Sequence, residues 1–314
     1  MIAEIFLVLG AAVVLDLILG DPPSRLHPTA WIGRLIGALK PRLKSKYKNI
    51  EMMKGSVAAV AIVSSTVLLA YYFIYLVEEF LGIIALIIVS VLMLKSTIAI
   101  KGMETHARSV MDALVNKDIV VARARLSNIV GRDTSQLDDQ HILSATIESV
   151  GESIVDGVTS PIFYFSLFGI PGAFGYRAIN TLDSMIGYKD NYHKDIGWFS
   201  AHLDTLANFI PARMTAFLMV ITARIIGGDW KNSLYIMRRD RSNTPSMNGG
   251  WSMATIAGAL RVRLEKNGYY SVGEDYEHLT LKHCDMAIAI MKVTALIFCV
   301  VFALPAIILT SMIW

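Results

Sequence analysis

Three carboxylates, Glu148, Glu152 and Asp156, recur at four-residue intervals. On a helix this spacing puts them on one face, drifting by ~40° per step. Like charges so placed repel unless a cation sits between them, and hard cations such as Mg²⁺ take carboxylate oxygens together with bound phosphate. A solvated acidic face has the same spacing, so both readings stand at this level. A second group is Tyr176, Arg177, Asn180, Asp183 and Ser184, closed by Gly187; Asn180, Asp183 and Gly187 share a helical face. Asp204, Asn208 and Arg213 around Pro211 form a third, Arg132-Asp133-Thr134 a fourth, and Asp16, Asp21 and His27 a fifth. Arginine suits phosphate and carboxylate through its planar fork. The other histidines (His106, His141, His193, His202, His278 and His283) show no close ligand pairing. The chain has no Gly-x-x-x-x-Gly-Lys-Ser/Thr loop.

The elements that position these groups are membrane helices. Of 314 residues, 54% are hydrophobic and 18% charged, and the mean hydropathy is +0.51. Soluble domains carry about a quarter charged residues. Disorder, collagen-like repeats and a disulfide framework are excluded, and a net charge of +3 gives no ground for nucleic acid as a partner. The expected fold is all-α: a polytopic integral membrane protein with about four transmembrane helices, at 1–20, 55–77, 81–100 and 293–314. Lys95, the one charge in the third, is expected to snorkel. Segment 1–20 lacks a basic start and a small-residue cleavage site, so it reads as a retained helix. Segments 157–176 and 205–228 are apolar but interrupted by Pro, Gly or Arg, which predicts broken or re-entrant helices around a polar cavity.

Loop charge sets orientation. The basic loop 21–54 is expected in the cytoplasm, the Glu78-Glu79 turn outside, and the polar stretch 229–285 in the cytoplasm again. Helical periodicity runs through 101–153. The organisation expected is one membrane domain, 1–314, with helical cytoplasmic segments at 101–153 and 229–285.

The run Leu17-Ile18-Leu19-Gly20-Asp21-Pro22-Pro23, followed by His27-Pro28, resembles the opening of the CobD/CbiB family of cobalamin-biosynthesis proteins. So does the block from Gly131-Arg132-Asp133-Thr134 through Ile147-Glu148-Ser149, Asp156-Gly157-Val158 and Pro171-Gly172-Ala173 to Tyr176-Arg177-Ala178-Ile179-Asn180-Thr181-Leu182-Asp183-Ser184. Asp204, Asn208-Phe209-Ile210-Pro211-Ala212-Arg213 and Gly249-Gly250-Trp251-Ser252 continue the likeness, which spans nearly the whole chain in order. Two places depart from the family pattern: Ser153 follows Glu152 where the family has Asn, and residues 244–248 are rearranged.

The resemblance implies adenosylcobinamide-phosphate synthase, a multi-pass ligase of the cell membrane; the basic loops, with ATP being cytoplasmic, place the expected active site on the cytoplasmic side. Such an enzyme joins a propionate carboxyl of adenosylcobyric acid, a corrinoid, to aminopropanol or aminopropanol phosphate, using ATP and Mg²⁺. ATP would turn the carboxylate into an acyl phosphate that the amine attacks, so phosphate binding, charge neutralisation and a base are needed. In this frame Asp156, Asp183, Arg177, Arg213 and Asp204 are the expected catalytic residues. Asp21, His27, Arg132, Asp133, Thr134, Asn180 and Asn208 are expected to bind substrate, and Glu148, Glu152 and Asp156 to hold the metal. The glycines of 157–176 are expected to leave an apolar floor for the flat corrin ring. Two rival readings are a transporter, which predicts internal repeats that the sequence lacks, and a non-catalytic sensor of the related AmpE-like type.

Overall fold

Long apolar runs interrupted by glycine set the course of the chain. The computed structural model describes residues 2–20, 25 and 27–312. The helices are α1 (Ile2–Leu19), α2 (Pro28–Leu43), α3 (Lys48–Lys95), α4 (Ile100–Val115), α5 (Ile119–Leu126), α6 (Asp139–Ser153), α7 (Ser160–Ile186), α8 (Trp198–Ala207), α9 (Phe209–Ile225), α10 (Trp230–Asp240), α11 (Gly249–Leu260), α12 (Leu281–Phe298) and α13 (Leu304–Ser311). Strands β1 (Arg263–Lys266) and β2 (Tyr270–Gly273) pair antiparallel between α11 and α12. Four runs, Ile2–Leu19, Lys48–Val115, Asp139–Ile186 and Leu281–Ser311, are long and apolar enough to cross a membrane, and α8 with α9 passes as a bent fifth. The chain is an all-α polytopic membrane protein.

Three expectations need correction. The polar stretch 229–285 is not helical throughout, because it contains the hairpin. Arg261 ends α11 in the left-handed conformation at φ 57°, and the alternation that follows buries Leu264 against Val272 across the strands. The span expected near the C-terminus falls on the last of the four runs, whose helix begins earlier, at Leu281. Glu78 and Glu79 lie within α3, and the break comes at Gly82, whose φ of 75° and ψ of −178° no side-chain-bearing residue adopts cheaply. Lys95 does not snorkel: it is buried, donates to the Gly20 carbonyl and pairs with the buried Asp16 at 3.6 Å. The cause is Asp16 itself, which at membrane depth needs a cation more than Lys95 needs water.

The chain folds as two compact units: 1–99, 160–208 and 302–314 in the first, and 100–159 and 209–301 in the second. In the first unit α3 packs on α1, α7 and α8, and α2 on α7. Its core includes Ile32, Ile36, Ala59, Ile62, Leu182, Ile186 and Ile196. The helical backbone of α7 breaks at Gly169, φ 64°, just before Pro171, as the broken reading of 157–176 predicts.

In the second unit α6 meets α4, α5, α11, α12 and β1. It starts where the Asp138 carboxylate accepts the His141 N–H at 2.9 Å, an N-cap. Its inner face buries Ile142 and Ala145 against Val110, Ala113, Ala122 and Leu126. Buried Glu104 on α4 gathers Lys101, Arg108 and Lys292 at 3.2, 3.0 and 2.8 Å, which ties α4 to α12. After Ser153 the helix widens into a π-turn, Ile154–Thr159.

Candidate functional site

The second unit holds a cleft of about 250 Å³ lined by Arg132, Glu148, Glu152, Ser246, Lys266 and Tyr270, among others. Its back wall is Glu148, only 5% exposed. One Glu148 oxygen accepts the Ser144 hydroxyl at 2.8 Å, the other the Tyr270 hydroxyl at 2.6 Å, and Arg132 approaches at 3.4 Å. Ser144 Oγ also accepts the Glu265 N–H at 2.9 Å, so one hydroxyl fastens β1 to α6. Burial and the Glu148 carboxylate push the Tyr270 phenol above its ordinary value, which keeps it a neutral donor. Lys266 faces Tyr270 across the hairpin, and both reach the cleft. One turn beyond Glu148, Glu152 is exposed; Lys266 and Arg132 act on it as opposite charges and Glu148 as a like one. With Glu148 already committed to three partners, Glu152 is the carboxylate available to a ligand. A cleft with both signs of charge on a frame of buried hydrogen bonds suits a charged, phosphorylated small molecule.

The first unit carries the second sequence group on α7 and, from the third, Asp204 on α8 and Asn208 at its C-terminal end, while Arg213 lies on α9 in the second unit. Asn208, 1% exposed, is held on every side. Its Oδ1 accepts the Ser160 hydroxyl at 2.6 Å and the Tyr176 hydroxyl at 2.9 Å, which turns its Nδ2 to donate to Asp204 Oδ2 at 3.1 Å. Asp204 Oδ1 is left buried with no hydrogen bond among the described residues. Asp183 lies close enough for the two like charges to act on each other, with Asn180 alongside. Asn180 accepts from Arg177 at 3.3 Å. A Cβ on Gly187 would fall 1.9 Å from Asp183 Oδ1, so only glycine leaves that carboxylate its place. Tyr164 stacks on Tyr176 with ring centroids 5.3 Å apart and donates to the Ala207 carbonyl at 3.0 Å, locking α7 to α8. A carboxylate pair with one oxygen fixed and another without a hydrogen bond has the capacity to accept a proton.

The structure separates some of the predicted site residues. Asp156 falls in the π-turn, whose wider winding changes the side-chain phase, and it does not line the cleft with Glu148 and Glu152. No cluster of three or more His, Cys, Asp or Glu side chains that could hold a metal forms among the described residues. Of the Arg132-Asp133-Thr134 group only Arg132 reaches the cleft. Asp133 accepts the Ser135 N–H and hydroxyl, which lowers its carboxyl below the usual range, while the Thr134 hydroxyl donates to the Arg123 carbonyl. Arg213 donates to Asn248 Oδ1 at 2.9 Å and to the Phe209 carbonyl at 2.7 Å. His27 is the N-cap of α2, ahead of Pro28, and Asp21 lies outside the described residues. Of the glycines of 157–176, Gly172 and Gly175 are used in packing: a Cβ on Gly172 would lie 2.5 Å from the Tyr164 carbonyl and one on Gly175 2.8 Å from Val67. An apolar cavity of about 640 Å³ in the first unit borders Phe165, Phe168, Gly169 and Ile170 and contains none of the predicted site residues.

Lys266, Tyr270 and Ser144 were not among those residues. The signal for the first two was Asn267-Gly268 between short alternating runs, a hairpin pattern. Gly268 takes φ 75° there.

A family model described as CobD/Cbib protein matches residues 9–304. The chain belongs to the CobD/CbiB family. Among curated members, the "Probable cobalamin biosynthesis protein CobD" of Methanothermobacter thermautotrophicus is 42% identical over 291 residues, 93% of this chain and 94% of the relative. The "Cobalamin biosynthesis protein CobD" of Dehalococcoides mccartyi is 39% identical over 284 residues, 88% of this chain and 89% of that one. The CobD relative in Methanocaldococcus jannaschii is 38% identical over 281 residues. No solved structure matches this CobD/CbiB chain.

Proposed function

We propose that this cobalamin-biosynthesis protein is an ATP-dependent amide ligase of the cell membrane. It acts on a corrinoid, adenosylcobyric acid, and joins its propionate carboxyl to the amine of aminopropanol or aminopropanol phosphate. The amide forms from carboxylate and amine as ATP becomes ADP and phosphate, the phosphate carrying off the carboxylate oxygen. The observation that carries this reading is the mixed-charge cleft of the second unit, where Arg132 and Lys266 stand over Glu148 and Glu152.

In this reading Arg132 and Lys266 hold the ATP phosphates. Mg²⁺ is commonly bound by one or two carboxylates plus phosphate oxygens, which one available carboxylate, Glu152, fits better than a three-carboxylate cage. Bound there, the ion would neutralise phosphate charge. In the first unit Asp204 is the base that takes the proton of the amine; Asn208 orients it and Arg177 steadies the reacting carboxylate. Asp156 has no part in this scheme.

Basic loop charge supports a cytoplasm-facing site, as does the cytoplasmic supply of ATP. Cysteines placed at Asn191 or Lys194 in intact cells should resist an impermeant external thiol reagent, and labelling there would reverse the orientation. The activity itself is tested with purified protein, adenosylcobyric acid, ATP, Mg²⁺ and either amine. A product of the amide mass with stoichiometric ADP is expected, and its absence with both amines would refute the ligase reading.

A further inference from the structure

Several arginines of the second unit are paired with carboxylates, among them Arg108 with Glu104, Arg239 with Asp240 and Arg261 with Asp229. Two of those that are not share one ring. Arg213 on α9 and Arg241 at the end of α10 have no carboxylate partner among the described residues, yet both lie on one indole, their guanidinium carbons 5.0 Å from the Trp251 ring centroid. They act on each other as like charges. Arg213 is further fixed by the Phe209 ring at 3.6 Å and the Asn248 amide at 2.9 Å. Its hydrogen bonds use Nη1 alone, and Arg241 likewise spends only Nη1, on the Arg238 carbonyl at 2.7 Å. The Nε and Nη2 donors of both forks have no acceptor among the described residues. All three side chains are half-buried, so a ligand can reach them.

Bringing two cations onto one ring costs repulsion, which works against the weak attraction each half-exposed guanidinium gains from the ring face. An anion would offset that repulsion. One carboxylate satisfies one fork, whereas a phosphate group has oxygens for two forks approaching from different sides. The geometry points to Arg213, Arg241 and Trp251 as a binding site for a phosphate group, separate in its residues from the Arg132–Lys266 cleft. The group could be that of a soluble phosphate ester or of an anionic lipid.

Full-length protein in neutral detergent is titrated with inorganic phosphate, read by the part of the tryptophan emission change that Trp251→Phe removes. Saturable binding is expected, weakened at least tenfold by Arg213→Lys, which keeps charge but loses the fork, and by Arg241→Gln, and retained in Lys266→Ala. Equimolar acetate should not compete. In a second arm, photoreactive phosphatidylglycerol or phosphatidylcholine is presented in nanodiscs. Arginine-dependent crosslinking of phosphatidylglycerol alone, without inorganic phosphate binding, would assign the site to a lipid headgroup. If neither signal depends on the two arginines, or if acetate competes as well as phosphate, the proposal fails. Should Arg213→Lys not fold, Arg241→Gln, which alters a helix end, decides the question alone. None of these readouts uses turnover, so failure of the ligase reading would leave the result standing.

Discussion

The two charged regions of this protein are built on opposite plans. In the first unit, neutral groups do the positioning: Ser160 and Tyr176 fix the Asn208 amide, the amide fixes Asp204, and one buried carboxylate oxygen is left without a hydrogen bond beside Asp183. In the second, charge is set against charge: Glu148 is saturated by Arg132, Tyr270 and Ser144, and Lys266 and Glu152 face the cleft. A carboxylate oriented by amides can exchange a proton without losing its support. A carboxylate that closes an ion pair cannot, because removing its charge leaves a half-buried cation without its partner. The first arrangement suits acid–base work, the second holding a charged ligand.

That contrast makes substitutions behave differently in the two regions. Asp204→Asn should leave the fold intact, since it removes one of two like charges, and should lower turnover by about 10²–10⁴-fold, the usual worth of a positioned base. Turnover assays beside thermal unfolding in detergent would check this. In the second unit the order reverses. Glu148→Ala leaves the half-buried Arg132 without its anion and two hydroxyls without an acceptor, and should cost about 3 kcal/mol of stability, read as a large drop in Tm. Tyr270→Phe removes one hydrogen bond to a charged group and should cost about 1.5–3 kcal/mol; a Tm equal to wild type would mean that the hairpin is not anchored through this bond.

The smallest effect expected is at the start of α6. Asp138→Ala should cost about 1 kcal/mol as a lost N-cap. The Asp138 carboxyl is held below its usual range first by the His141 N–H, and Asp190 likewise first by the His193 side chain. Groups lowered in the folded state stabilise it above the ordinary carboxylate range and lose that contribution as pH falls through the lowered value. Unfolding followed from pH 6 downward should show stability declining on the acid side, with a shallower decline in Asp138→Ala.

The first unit's site was the more legible in sequence because helical spacing encodes it. Asn180, Asp183 and Gly187 share a face by interval alone, and Asp204 and Asn208 are one turn apart. What spacing did not reveal was the Tyr176 hydroxyl reaching Asn208 across 32 residues. The second site was legible only in part. Glu148 and Glu152 obey the helical interval, but Asp156 leaves it because the π-turn alters the winding. Lys266 and Tyr270 come from a hairpin over 100 residues further on, and a short amphipathic strand pair is a weak signal within a helical chain. Likewise the four membrane runs follow from composition, whereas the Asp16–Lys95 pair depends on which helices become neighbours.

The most direct test of the contrast is the steady-state kinetics of ATP-dependent amide formation in Lys266→Ala beside Asp204→Asn. If the cleft holds phosphate and Asp204 moves the proton, Lys266→Ala should raise KM for ATP about tenfold or more with a smaller change in kcat. Asp204→Asn should lower kcat about 10²-fold or more at unchanged KM for ATP. An unchanged KM in Lys266→Ala, or a raised KM with intact kcat in Asp204→Asn, would contradict the division of labour between the two regions.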